Sequence, residues 1–224
     1  MWYKVKKIYQ WSNLVRPKWK PWANTIAYYP LKENANDYSW NSRNLTNSWI
    51  TFGENNWVDC GYFSGSACAY LSSSLFTWNP SFTVSFYAKM ISADRYYWRS
   101  YWFVGTGNSN YSFWNFVQSS TNWSKLSVWW WSNDKVTTYT VDNNWHHIVF
   151  TYSSWSWTVY VDGTSVYTGT RSPNIQDYRT VIWANPNLAD GFYGYMNEFI
   201  FEDKVRTTTE ISNYYNNTKA NYWL

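Results

Sequence analysis

Glycine is scarce in this chain, with 9 residues in 224 where ordinary proteins run at about 7%. Charge is thin too: acidic and basic residues make up 14%, against roughly 25% in a typical domain. No apolar run approaches the roughly 18 residues needed to cross a bilayer, so no membrane span is expected. Two cysteines are too few for a disulfide-stapled scaffold or a zinc site. Cys60 and Cys68 flank Ser64-Gly65-Ser66, which reads as a turn. They either meet across a hairpin, in a bridge contributing about 2 kcal/mol, or stay as two buried thiols. The only two histidines, His146 and His147, are adjacent. On a strand they point to opposite faces, which excludes a shared metal.

What the chain does have is β chemistry. It carries 20 Trp, 22 Tyr and 12 Phe amid Ser, Thr and Asn, a composition unlike that of disordered segments, which lack aromatics. Phe82–Met90 is the clearest strand. Phe82, Val84, Phe86, Ala88 and Met90 face one way, and Thr83, Ser85, Tyr87 and Lys89 the other. That alternation predicts one buried face and one wet face, hence an antiparallel sheet packed on a second layer. Further strands are expected over 25–30, 59–63, 67–72, 101–105, 111–118, 125–130, 136–141, 145–152, 157–162, 164–168, 179–183 and 192–202. Short Asn-, Ser-, Gly- and Pro-containing loops separate them, the pattern of a sandwich or barrel. Thr207-Thr208-Thr209-Glu210 is a capping box, followed by Ile211, Tyr214 and Tyr215 at helical spacing. The fold class expected is all-β: a two-sheet antiparallel sandwich with one short C-terminal helix.

Several tryptophans stand where a chain reversal ordinarily needs glycine. Trp155 and Trp157 lie between the strand-like runs 146–152 and 158–163. Turns of this kind favour residues that accept positive φ and disfavour bulky aromatics. Trp22, Trp40, Trp57, Trp78, Trp123 and Trp183 sit in similar turn or strand-end contexts. One reading is that most of these positions are glycine in the native protein, UGA being read as glycine in its own lineage and as tryptophan here. The other is a Trp-rich carbohydrate binder with aromatic platforms. Trp145, in a strand-like setting, is expected to be a true tryptophan under either.

Charge divides the chain. Residues 1–24 carry Lys4, Lys6, Lys7, Arg16, Lys18 and Lys20 with no acid, whereas the remainder holds 12 basic and 14 acidic residues. We therefore expect a basic N-terminal arm over 1–24, a domain over 25–218 and a tail over 219–224. The arm reads either as an anchor on an acidic surface or larger assembly, or as a solvated leader. Cations so few, with no accompanying motif, do not predict nucleic-acid binding. Met1–Lys7 has a positive flank but no apolar stretch or small-residue cleavage site, which is not the pattern of a signal peptide.

Four segments together resemble the laminin-G-like, concanavalin A-like jelly roll in its bacterial and phage form. They are Thr25-Ile26-Ala27-Tyr28-Tyr29-Pro30-Leu31 with Asn36–Thr46, then Phe82–Phe86, then Asn144–Tyr152 leading to Val159-Tyr160-Val161-Asp162-Gly163, and Phe192–Phe199. The likeness covers about residues 25–218, and Trp40 and Trp183 occupy positions where the family carries glycine. It implies two antiparallel sheets in a jelly roll, on a virion or outside the cell, and noncatalytic. A fold alone names no ligand. The family sometimes holds a structural calcium, for which Asp37 and Glu198 are the candidate oxygen ligands.

Jelly rolls also house glycoside hydrolases. Glu198 and Glu202 share a strand face but stand about 13 Å apart at roughly 3.3 Å per residue, beyond the roughly 5–9.5 Å that acid–base pairs require. Nothing like a nucleophile elbow is present, so no enzyme is expected. For glycans, Arg95–Trp102 and Trp129–Asp134 combine aromatics with polar neighbours, and Tyr97, Arg99, Trp102, Trp130 and Asp134 are the candidate binding residues. The expected role is a noncatalytic recognition or assembly module of a phage virion, its arm docked on virion or cell-surface proteins. A cell-surface or secreted carbohydrate-binding adhesin is the alternative, and a glycoside hydrolase the third.

Overall fold

The structure, a computed structural model, describes residues 23–76, 81–91, 99–104, 115–117, 125–128, 135–140, 142–170, 180–182, 192–222 and 224. Its strands, in chain order, form two antiparallel sheets. The first contains β1 (Thr25–Tyr29), β3 (Thr51–Asn55), β4 (Val58–Ser64), β6 (Phe82–Met90), β11 (Trp145–Ser153), β12 (Ser156–Val161), β13 (Thr164–Thr170) and β15 (Tyr193–Glu202). Its order is β13-β12-β11-β6-β15-β4-β3, with β1 beside the second half of β15. The second contains β2 (Thr46–Ser48), β5 (Cys68–Leu71), β7 (Arg99–Val104), β8 (Asn115–Val117), β9 (Lys125–Val128), β10 (Lys135–Thr140) and β14 (Thr180–Ile182), in the order β10-β9-β8-β7-β14-β5-β2. The jelly-roll sandwich expected from the sequence is what forms.

The core between the layers follows the period-2 pattern. Phe82, Val84, Phe86 and Ala88 from β6 meet Ile148, Phe150 and Tyr152 from β11, and Phe199 and Phe201 from β15. Phe86 stacks on Phe199 at 4.9 Å between centroids. Trp157 belongs here as well: it is 1% exposed and packs 4.3 Å from Tyr152 and 5.4 Å from Phe82. The expectation that Trp157 occupies a turn is therefore corrected. It lies one residue inside β12, on the inward face.

The other face of β6 is not wet. Thr83, Ser85 and Tyr87 are all at most 1% exposed, because the C-terminal segment covers them. This cap is α1 (Thr208–Thr218), continued by a 3₁₀ turn over Lys219–Tyr222. The helix opens on the predicted capping box. Thr207 Oγ1 accepts from Glu210 N at 3.2 Å, and Thr207 N donates to Glu210 Oε2 at 2.8 Å, satisfying amides the helix leaves free. Ile211 and Tyr214 face the sheet, and Tyr222, in what reads from the sequence as a tail, stacks on Tyr87 at 3.6 Å.

The segment between the cysteines departs from the expected hairpin, and of the two readings for the cysteines the buried thiols hold. The run through Ser64-Gly65-Ser66 is not a hairpin: β4 belongs to the first sheet and β5 to the second, so the chain crosses between layers there. Cys60 and Cys68 are accordingly free and buried, on different sheets. β2 and β3 are strands that composition does not announce.

Candidate functional site

The cap covers most of the outer face of the first sheet but leaves one cross-strand row open except at its Trp145 end, which Tyr222 closes at 5.4 Å. Register places Tyr62 of β4 opposite Tyr195 of β15, Tyr195 opposite Lys89 of β6, and Lys89 opposite Trp145 of β11. Partners in an antiparallel ladder point to the same side, so four strands contribute one line of side chains. Two residues further along each strand lies the next line on that face, Asn197–Tyr87–His147. Here the cap closes completely. Tyr222 Oη donates to Asn197 Oδ1 at 2.9 Å, and Tyr214 lies 5.1 Å from His147.

The uncovered row continues into an aromatic surface and a cleft. Tyr62 packs on Tyr195 at 5.3 Å and edge-on to Tyr193 at 6.1 Å, and Tyr193 is itself exposed. A hydrogen bond with Tyr193, helped by partial burial, pushes the Tyr62 phenol up to about 12. On the other side of Lys89 a cleft of about 620 Å³ is lined by Lys89, Trp145, His146, Asn144, Asn56, Trp57, Tyr222 and Leu224. Lys89 is half-buried and has no carboxylate partner among the described residues. An unmatched ammonium between aromatic walls attracts an anion or a strong hydrogen-bond acceptor.

His146 lines the same cleft. Burial disfavours its protonation, but Asp162 at 2.7 Å on Nδ1 and Asp142 at 2.8 Å on Nε2 outweigh that and hold its pKa above the usual imidazole value. Its charge is therefore matched, whereas Lys89 has no acidic partner among the described residues. His147, on the opposite parity, is fully buried; desolvation, with Arg206 nearby, drives it down to about 3. Among the described residues no group of His, Cys, Asp and Glu side chains could hold a metal.

The calcium candidates do other work. Asp37 caps a loop: Oδ1 accepts from Tyr28 N at 2.9 Å and Ser39 N at 2.8 Å, and Oδ2 accepts from Ser39 Oγ and Arg43 N, both at 2.8 Å. Glu198 sits at a bulge of β15 with φ 54, accepts from Tyr28 Oη and pairs with Lys32 at 3.2 Å. With four donors on one carboxylate and a lysine on the other, this pair does not fit a calcium ion. The bulge also breaks the regular spacing assumed between Glu198 and Glu202. Glu202 is buried in an ion pair with Arg206.

The other sequence-predicted residues fall elsewhere. Tyr97, Trp130 and Asp134 lie outside the described residues, as do Lys4, Lys6, Lys7, Arg16, Lys18 and Lys20 of the arm. Arg99 and Trp102 lie on β7 of the second sheet, opposite Val117 and Ile182. Arg99 and Trp102 therefore do not belong to the open row, which is on the first sheet. Sequence reasoning put Lys89 on a solvent-facing parity but gave it no role, because its neighbours Tyr62, Trp145 and Tyr195 come from strands far apart in sequence.

A family model for the concanavalin A-like lectin/glucanases superfamily matches residues 63–212. Among solved structures, domain 4 of AbnA, a GH43 extracellular arabinanase from Geobacillus stearothermophilus solved with arabinotriose, aligns with a TM-score of 0.66 at 15% identity, covering 85% of this chain and 97% of that one. The binding domain of Paraclostridial Mosquitocidal Protein 1 aligns at 0.64 and 13%, over 87% of this chain and 52% of that one. The ligand-binding domain of botulinum neurotoxin serotype D, in complex with N-acetylneuraminic acid, aligns at 0.61 and 13%, over 87% and 51%. The chain thus spans about half the length of those toxin domains. At such identities the likeness is one of fold, and two of these three structures are complexes with a sugar, arabinotriose in one and N-acetylneuraminic acid in the other. No match is found among curated proteins. Among the described residues no helix is long and apolar enough to cross a membrane.

Proposed function

Because the chain belongs to the concanavalin A-like lectin/glucanase superfamily, we propose that it is a noncatalytic recognition module that holds an acidic glycan against the open row beside its C-terminal cap. Lys89 carries this reading. It is a half-buried ammonium with no acidic partner among the described residues, placed between Tyr195 and Trp145 at the edge of a cleft. The phenol of Tyr195 offers a face to the apolar side of a pyranose, Asn56 and Asn144 offer donors and acceptors for hydroxyls, and the ammonium selects a carboxylate. The described acids that would serve a hydrolase, Glu198 and Glu202, are engaged with Lys32, Tyr28 and Arg206.

The module is carried on a virion, its basic arm docked on the particle and the sandwich turned outward. Six cations without an acid over residues 1–24 support the docking role. Mass spectrometry of purified particles should then find the chain, whereas recovery only from cell walls would favour a surface adhesin. For the site, an array of neutral and acidic glycans is the test. Acidic glycans should be retained, and Lys89→Gln should weaken them by about tenfold, the effect of losing one charge-assisted hydrogen bond. Binding that ignores Lys89→Gln, or a blank array, would refute the assignment.

A further inference from the structure

Among the described residues one kind of hairpin is built three times. β3 and β4 are joined by Asn56-Trp57, with φ 49 and 68; β11 and β12 by Ser154-Trp155, with φ 47 and 75; β12 and β13 by Asp162-Gly163, with φ 50 and 78. In each case the flanking residues pair directly, Asn55 with Val58, Ser153 with Ser156 and Val161 with Thr164. These are two-residue loops with both central residues at positive φ, the signature of the type I′ turn. That turn favours Asn or Asp first and Gly second, because the second residue reaches deepest into the left-handed region. The third hairpin obeys the rule, and the other two carry an indole in the glycine place.

A side chain can be forced into left-handed backbone where its burial offsets the cost. Leu31 illustrates this, with φ 55 and a side chain that is fully buried. The indoles at these positions are not buried in this way. Trp57 and Trp155 are 60% and 63% exposed, and Trp49, with φ 67 after β2, is 81% exposed. Trp145 and Trp157 behave oppositely: at 4% and 1% exposed they sit inside strands, where a missing side chain would leave a void.

We propose that positions 49, 57 and 155 are glycine in the chain as its own organism makes it, UGA being read there as glycine, while Trp145 and Trp157 are true tryptophans. Those three positions then account for part of both the glycine shortage and the tryptophan excess, 9 against 20. The inference meets the glycan reading at one wall of the cleft, where Trp57 stands; Lys89, Tyr62, Tyr195 and Trp145 are unaffected by it.

Three measurements decide it. Codons 49, 57 and 155 should be UGA and codons 145 and 157 UGG, and tandem mass spectrometry of the protein from its natural source should read glycine in the peptides spanning 57 and 155. Tryptophan in those peptides, or UGG at those three codons, would overturn the proposal. In the chain as written here, the double substitution Trp57→Gly with Trp155→Gly should raise the urea midpoint, while Trp157→Gly should lower it. A midpoint that falls with the double substitution would also overturn it.

Discussion

Two neighbouring rows of side chains on the outer face of the first sheet meet different fates. Asn197, Tyr87 and His147 lie beneath Tyr222 and Tyr214, each at most 2% exposed. Tyr62, Tyr195 and Lys89, two residues along the same strands, are only half-buried, and Trp145 closes the row against Tyr222 at 5.4 Å. Both rows are rich in aromatics, and both sit on the parity that alternation assigns to solvent. What separates them is where α1 and its 3₁₀ extension lie over the sheet. Where α1 and its 3₁₀ extension reach, aromatics serve as a second core; where they stop, the same residue types become a surface able to take a ligand. Composition does not distinguish a stabilising row from a binding row; coverage does.

The sharpest way to break this comparison is to truncate each row in turn. Tyr87→Ala in the sealed row should cost about 3–5 kcal/mol, the usual effect of deleting a large buried aromatic, read as a lower urea midpoint. Glycan affinity per folded molecule should change little. A loss below about 1 kcal/mol would mean that the cap does not pack as described.

Acid should act on the sealed row as well. His147 is neutral in the fold, with a pKa lowered to about 3 from an ordinary 6.5, so the unfolded chain takes up the proton first. Its contribution is complete above about pH 6.5 and fades as pH falls toward 3, at up to about 1.4 kcal/mol per pH unit. Urea midpoints at neutral and acidic pH should show the slope, and His147→Phe should flatten it. An unchanged slope would place the acid sensitivity elsewhere.

In the open row the balance reverses. Tyr195→Ala should cost less than about 1 kcal/mol of stability but weaken acidic-glycan binding by about tenfold or more, since a stacking face is lost. Smallest of all, Tyr62→Phe removes only the hydroxyl bonded to Tyr193 and should weaken binding by about threefold, the worth of one neutral hydrogen bond. Titration of each variant with the same glycan checks the ranking.

The fold was legible for physical reasons. Period-2 alternation in Phe82–Met90, the capping box at Thr207 and the family segments at 144–163 and 192–199 all find their places. β2 and β3 were not legible, because Thr46-Asn47-Ser48 and Thr51–Asn55 show no buried face. They are edge strands of their sheets, held by backbone pairing to β5 and β4. The covered face of β6 was missed because alternation reports polarity and not what a distant helix lies upon. Trp157 was misassigned because two indoles two residues apart read alike, although one sits in the turn and the other faces the core. The site was hidden further still: its row needs the register of four strands at 62, 89, 145 and 195. No local motif encodes that register.

Calorimetric titration with a sialylated oligosaccharide and its desialylated counterpart, on the parent chain and on Lys89→Gln, tests the functional claim most directly. The account predicts binding of the acidic sugar that exceeds the neutral one in the parent, with the preference lost in Lys89→Gln while the urea midpoint holds. Equal binding of the two sugars by the parent, or a preference that survives Lys89→Gln, would contradict it.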